Sequence, residues 1–160
     1  MLAFTGPSEC GLTTERTECT IVPESIAMSL VVDTSIILAA LTSEPERPPI
    51  LKMTQDQDLL APASVHWEMG NALSAMIKRG RVTTAQAREV LKNYERIPIR
   101  FVEVNLPDAV EVAADQNIYA YDAYLIVCAR QQRCRLISLD KGLLKAAIDA
   151  GVGVLEVATQ

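Results

Sequence analysis

The run Leu30-Val31-Val32 ends in Asp33, and Thr34-Ser35 then opens onto apolar residues 36–41, which together read as a buried strand, a turn and a helix. In parallel α/β sheets the carboxyl ends of strands are where ligands and reacting groups collect, so Asp33 occupies a position of chemical interest. Aspartate also caps helices, and capping alone would account for it. The same pattern returns late in the chain, where Leu136-Ile137-Ser138-Leu139 leads into Asp140 and a helical run over 143–148. Two strand-end aspartates in one chain call for a common explanation.

The segments between them alternate in the same way. Residues 59–62 read as a second short strand, 99–104 as a third, 136–139 as the fourth and 152–157 as the fifth. Residues 43–49 read as a loop, since three prolines remove donors and bias their predecessors away from helix; a short helix over 50–54 follows. Ser64 is placed to cap a helix running to residue 79, with Val65, Met69, Leu73 and Met76 at helical spacing. Glu68 falls along that apolar face, where a carboxylate needs a partner or a cation. Thr83-Thr84-Ala85-Gln86 has capping-box spacing, and residues 121–129 are apolar nearly all round, as in a helix buried between layers, with Asp122 at its start. The alternation predicts an α/β fold with a parallel sheet covered by helices on both faces.

Composition narrows the class. With 160 residues, 49% hydrophobic and 22% charged, the chain suits one compact domain. Residues 1–27 are rich in Thr, Glu, Gly and Pro and have no apolar period, so they read as a flexible N-terminal extension, with the folded domain over 28–160. No apolar run approaches the roughly 18 residues of a membrane span, and the amino terminus lacks a signal-peptide pattern, which predicts a cytoplasmic protein. The four cysteines contain no Cys-x-x-Cys pair, and neither a zinc site nor a disulfide framework is expected. The single histidine, His66, reads as structural, and Trp67 as a packing or dimer-contact residue. Net charge is -5, and Glu9, Glu15, Glu18 and Glu24 against Arg16 place much of it in the leader. A polyanionic substrate would therefore need a local basic face or bound cations.

Asp33, Glu68, Asp122 and Asp140 could all meet at one edge of the sheet. Carboxylates about 4 Å apart repel by roughly 4 kcal/mol per pair at an effective dielectric of about 20. A hard divalent cation, Mg²⁺ or Mn²⁺, would offset that repulsion with oxygen ligands alone and would favour phosphoryl chemistry. On Val31-Val32-Asp33-Thr34-Ser35, Glu68 followed by Gly70-Asn71-Ala72-Leu73, Tyr121-Asp122-Ala123 and Ser138-Leu139-Asp140, the chain resembles the PIN-domain family, and in particular VapC-type toxins of type II toxin–antitoxin systems. The resemblance runs from about residue 29 to 157. It implies a PIN-like three-layer α/β/α sandwich with a five-stranded parallel sheet, and a Mg²⁺- or Mn²⁺-dependent endoribonuclease that forms a homodimer and is neutralised by a cognate antitoxin. By the same match, Asp33, Glu68, Asp122 and Asp140 form the acidic metal site. Ser35 holds Asp33 or a metal-bound water, and Asn71 supports Glu68 from one turn away.

Seven of the Lys and Arg side chains fall between positions 78 and 100. Arg88, Lys92 and Arg96 recur every four residues, which makes a helical stripe that is either a solvated face or a track for RNA or an acidic antitoxin segment. A PIN-like module that binds RNA or protein without cutting is the main rival, and the presence of all four acids argues against it. A HAD-type phosphatase would place a second Asp two residues after the first, where this chain has Ser35. A receiver domain would need a clustered acidic pair before the phosphorylated Asp together with a Lys after a later strand, and that pattern is not met.

Overall fold

The computed structural model describes residues 28–158, so the expected N-terminal extension over 1–27 lies outside the described residues. Five strands, β1 (Ser29–Val32), β2 (Asp58–Pro62), β3 (Ile99–Val102), β4 (Arg135–Ser138) and β5 (Val154–Glu156), form one parallel sheet in the order β3-β2-β1-β4-β5. Among the described residues seven helices accompany them: α1 (Thr34–Leu41), α2 (Arg47–Thr54), α3 (Ser64–Lys78), α4 (Thr84–Tyr94), α5 (Leu106–Gln116), α6 (Ala120–Gln132) and α7 (Lys141–Asp149). This is the α/β sandwich expected from the alternation.

The apolar runs become strands because the middle of the sheet is covered on both sides. Leu30, Val31, Val32, Leu60, Leu136 and Ile137 are all 1% exposed or less. Helix α6 packs across β1, β2 and β4 with α5 against it, while α1 gathers α2, α3 and α4. Six residues of α6 are buried, Ala123 and Leu125 to Ala129, as its all-round apolar pattern requires. Burial pushes the Cys128 thiol up to about 12, so it serves as a packing group.

Strand order decides where chemistry can occur. The chain moves from β1 outward to β2 and β3, then returns to place β4 on the other side of β1. A crevice therefore opens between the carboxyl ends of β1 and β4, the position at which open α/β sheets bind ligands. Val32 pairs with Ile137, so one step further Asp33 faces Ser138.

Local chemistry corrects three expectations. Helix α2 begins at Arg47 and takes Pro48 and Pro49 into its first turn, where a missing N–H costs nothing and the fixed φ suits a helix. Ser64 is the first residue of α3 and not its cap, a position held by Ala63 without a side-chain bond. The third strand stops at Val102, two residues early. At α4 the capping box is complete: Gln86 N–H donates to Thr83 Oγ1 at 3.2 Å, and Thr83 N–H donates to Gln86 Oε1 at 2.8 Å. None of the described helices is long and apolar enough to cross a membrane.

Candidate active site

Asp33 stands at the N-cap position of α1, yet its carboxylate makes no capping bond. It turns instead into the crevice, where Oδ2 accepts from Ser35 Oγ at 2.5 Å and from Ser138 Oγ at 2.7 Å. The direction of these bonds is forced. Each hydroxyl has one proton, and each already accepts from a backbone N–H, Ser35 from Leu139 at 3.1 Å and Ser138 from Asp140 at 2.9 Å. Both protons therefore go to Asp33, and the 3.4 Å approach between the two hydroxyls is a contact without a proton to share. The network ties the ends of β1 and β4 together and fixes a carboxylate that is only 7% exposed.

Asp140 does cap its helix: Oδ1 accepts from Gly142 N–H at 2.7 Å and from Leu143 N–H at 3.1 Å. A Cβ on residue 142 would lie 3.1 Å from that oxygen, so glycine allows the close approach. Asp122 lies in the first turn of α6, whose cap position is Tyr119, so capping does not explain it. Burial raises its pKa, and the charges of Asp140 and Asp33 raise it further.

Glu68 approaches from α3. Its Oε2 accepts from Thr34 Oγ1 at 3.0 Å, whereas Oε1 is buried with no hydrogen-bond partner. Its pKa is raised first by burial, with the Thr34 bond acting against that, then by the charge of Asp33 and, more weakly, of Asp122. Ser64 Oγ lies close enough to favour the carboxylate, but neither it nor Oε1 completes a hydrogen bond in this geometry. A buried acceptor left open beside like charges is costly unless a cation fills the gap.

The four acids thus act on one another across one crevice, and among the described residues no Lys or Arg forms an ion pair with them. Ion pairs among the described residues link Lys92 to Glu89, Arg100 to Asp58 and Lys145 to Asp149, all elsewhere. Among those residues no three His, Cys, Asp or Glu groups stand close enough to form a finished metal cage. Asp33 is buried and held by two hydroxyls, Asp140 is exposed and held by two backbone N–H groups, and Asp122 and Glu68 are half-buried. The all-oxygen donor set and the open Glu68 Oε1 fit a hard divalent cation.

Other sequence candidates fall outside this set. Asn71 is exposed and makes no hydrogen bond to Glu68. Arg88 and Lys92 lie on the outside of α4, but Arg96 comes after the cap residue Glu95, so the stripe runs past the end of its helix. His66 bonds through Nδ1 to Tyr94 Oη at 2.9 Å and lies 4.1 Å from the ring of Phe101, bracing α3 against α4 and β3. Trp67 is 70% exposed, so of its two expected roles, packing and dimer contact, it does not fill the first within the chain. Thr34 and Ser138 are the contributors that sequence reasoning passed over. Their signal was a hydroxyl inside an otherwise apolar, buried stretch, which must find a partner.

Residues 30–149 match the family described as PIN domain. The chain belongs to the PIN-domain family. PIN domains are generally nucleases, hydrolases acting on nucleic acid. No curated protein matches the sequence. Among solved structures, PAE2754 from Pyrobaculum aerophilum is 22% identical with a TM-score of 0.59, over 82% of this chain and 92% of its own. FitAcB from Neisseria gonorrhoeae is 16% identical with a TM-score of 0.59, over 79% and 96%. VapBC2 from Rickettsia felis, solved bound to a DNA fragment from its promoter, is 11% identical with a TM-score of 0.59, over 82% and 100%. At these identities the likeness is one of fold.

Proposed function

We propose that this PIN domain is a metal-dependent endoribonuclease, acting as the toxin of a cytoplasmic toxin–antitoxin pair. The observation that carries the reading is the buried, unpartnered Glu68 Oε1 among carboxylates that no Lys or Arg of the described residues neutralises. Asp33, Glu68, Asp122 and Asp140 would hold Mg²⁺ or Mn²⁺. When bound, the ion supplies a Lewis acid for the scissile phosphate and lowers the pKa of a water. Asp33, clamped by Ser35 and Ser138 through Oδ2, would offer its other oxygen to the ion. Thr34 holds Glu68 through Oε2, and Oε1, which has no hydrogen-bond partner, would be the oxygen offered to the ion. Burial and the neighbouring acids raise the pKa values of Asp122 and Glu68, so these two take up a proton more readily than ordinary carboxylates do.

The antitoxin is part of the proposal because two of the similar folds are named as pairs, FitAcB and VapBC2. The test is cleavage of total cellular RNA by the purified protein, with Mn²⁺ or EDTA, followed by mapping of the new ends. Cuts at defined sites that require Mn²⁺ support the reading; intact RNA under both conditions removes it.

Arg88, Lys92 and Arg96 are proposed to meet a polyanion, either RNA or an acidic antitoxin segment. They are exposed, and among the described residues Lys92 alone of the three forms an ion pair, with Glu89 at 4.0 Å. Reversing all three charges should lower the salt dependence of RNA binding by up to about 2 in logarithmic slope, since each phosphate contact on a single strand contributes about 0.7. Unchanged slopes for RNA and for antitoxin alike would return these side chains to an ordinary solvated surface.

A further inference from the structure

A groove of about 450 Å³ opens beside the acids, between α3 and α6, over the carboxyl ends of β2 and β3. Its walls include Pro62, Ser64, Trp67, Glu103, Tyr121 and Tyr124. Two helical steps join it to the crevice: Trp67 precedes Glu68, and Tyr121 precedes Asp122. Successive helix residues point about 100° apart, so the aromatics flank the acids without joining them. Ser64 belongs to both places, as a wall of the groove and a neighbour of Glu68.

We propose that this groove is a stacking subsite for one unpaired nucleobase of the substrate strand, with Trp67 as its platform and Tyr121 opposite. The inference rests on the nuclease reading and extends it to the form of substrate taken: a single strand whose base next to the cut is turned out.

Three observations select a base over other occupants. Trp67 is 70% exposed and Tyr121 is 45% exposed, an outlay of aromatic surface that marks a binding site. Tyr124 meets Tyr121 edge to face at 5.9 Å, which holds one side of the groove in place. Among the described residues no Lys or Arg lines the groove, and Glu103 repels phosphate while accepting hydrogen bonds from the N–H groups of a base edge. The volume lies within the range of small-ligand pockets, roughly 300–1,000 Å³. A phosphate held at the acids would thus leave the adjoining base at the aromatic rim.

Trp67 is the only tryptophan of the chain, so it reports on its own occupancy. The full-length protein is titrated, with Ca²⁺ in place of Mn²⁺, with a mixed-sequence single-stranded RNA of eight nucleotides and with a ribose–phosphate strand of equal length lacking bases. Fluorescence should be quenched by the RNA and not by the abasic strand. In a parallel anisotropy titration of labelled RNA, Trp67→Ala should weaken binding about 5- to 100-fold and Trp67→Phe much less. Both variants should melt with the parent, because the side chain is largely in water. Mn²⁺-dependent cleavage by the parent is scored separately. If the parent cuts RNA while Trp67→Ala binds and cuts as the parent does, the subsite is wrong and the nuclease reading stands. If Trp67 fluorescence ignores RNA but shifts with protein concentration as a dimer forms, the groove belongs to a second copy, and the proposal is overturned.

Discussion

Asp33→Asn is expected to leave a folded protein whose Mn²⁺-dependent cleavage of RNA falls by more than about 100-fold. The magnitude follows from the order of influence around a metal: residues that only support ligands typically cost about 10- to 100-fold, so a ligand should cost at least as much. The fold should tolerate the change, because the side chain makes no capping bond that could be lost. An amide oxygen can still accept from Ser35 or Ser138, whose protons are already aimed at that point. What disappears is the charge. Circular dichroism and melting in EDTA check the fold, and end-labelled RNA checks the cut. Retained cleavage at the parent's sites would remove Asp33 from the chemistry, and with it the reason for assigning the crevice.

The outline of the fold was legible because its signals are local. An apolar run of three or four residues ending in Asp, followed by a helical period, marks β1–α1 and β4–α7 without reference to anything distant. Thr83 and Gln86 announce α4 in the same way. The start of α2 was misread because proline forbids a helix interior and suits a first turn, and sequence alone does not say which of the two Pro48 occupies.

The inner geometry of the site was less legible, and Asp33 shows why. Local preference gives an aspartate before a helix the role of cap, and Asp140 takes it. At Asp33 a tertiary alternative competes. Ser138, 105 residues away in sequence, arrives through the β1–β4 pairing and captures the carboxylate together with Ser35. Nothing near Asp33 in the sequence announces that partner. The exposure of Trp67 was hidden for a related reason: its neighbours Val65 and Met69 are fully buried, and only the turn of the helix separates their face from its own.

Glu68→Gln should stabilise the metal-free protein, the opposite of what deletion of a useful contact does. Burial and the charge of Asp33 raise the Glu68 pKa above its ordinary 4.5, so the ionised side chain is held in the fold at a cost. Glutamine keeps an oxygen for the Thr34 hydroxyl and removes that charge. In EDTA at pH 7 the variant should melt above the parent, by roughly 2–4 °C for each kcal/mol of repulsion relieved in a chain of this size. The advantage should shrink as the pH falls. Between the raised folded value and 4.5 the folded protein binds more protons than the unfolded chain, so falling pH neutralises Glu68 in the parent and stabilises it. Below 4.5 both states are protonated and the two proteins should melt together. With Mn²⁺ the order reverses: the parent gains about 2.7 kcal/mol at 100 times its dissociation constant, while the variant, short of one ligand charge, gains less. Melting curves over pH 4–8, with EDTA and with Mn²⁺, read all of these differences. A variant that melts below the parent at pH 7 in EDTA would mean that the carboxylate is a stabilising partner of Thr34, and the mutual repulsion that calls for a cation would be absent.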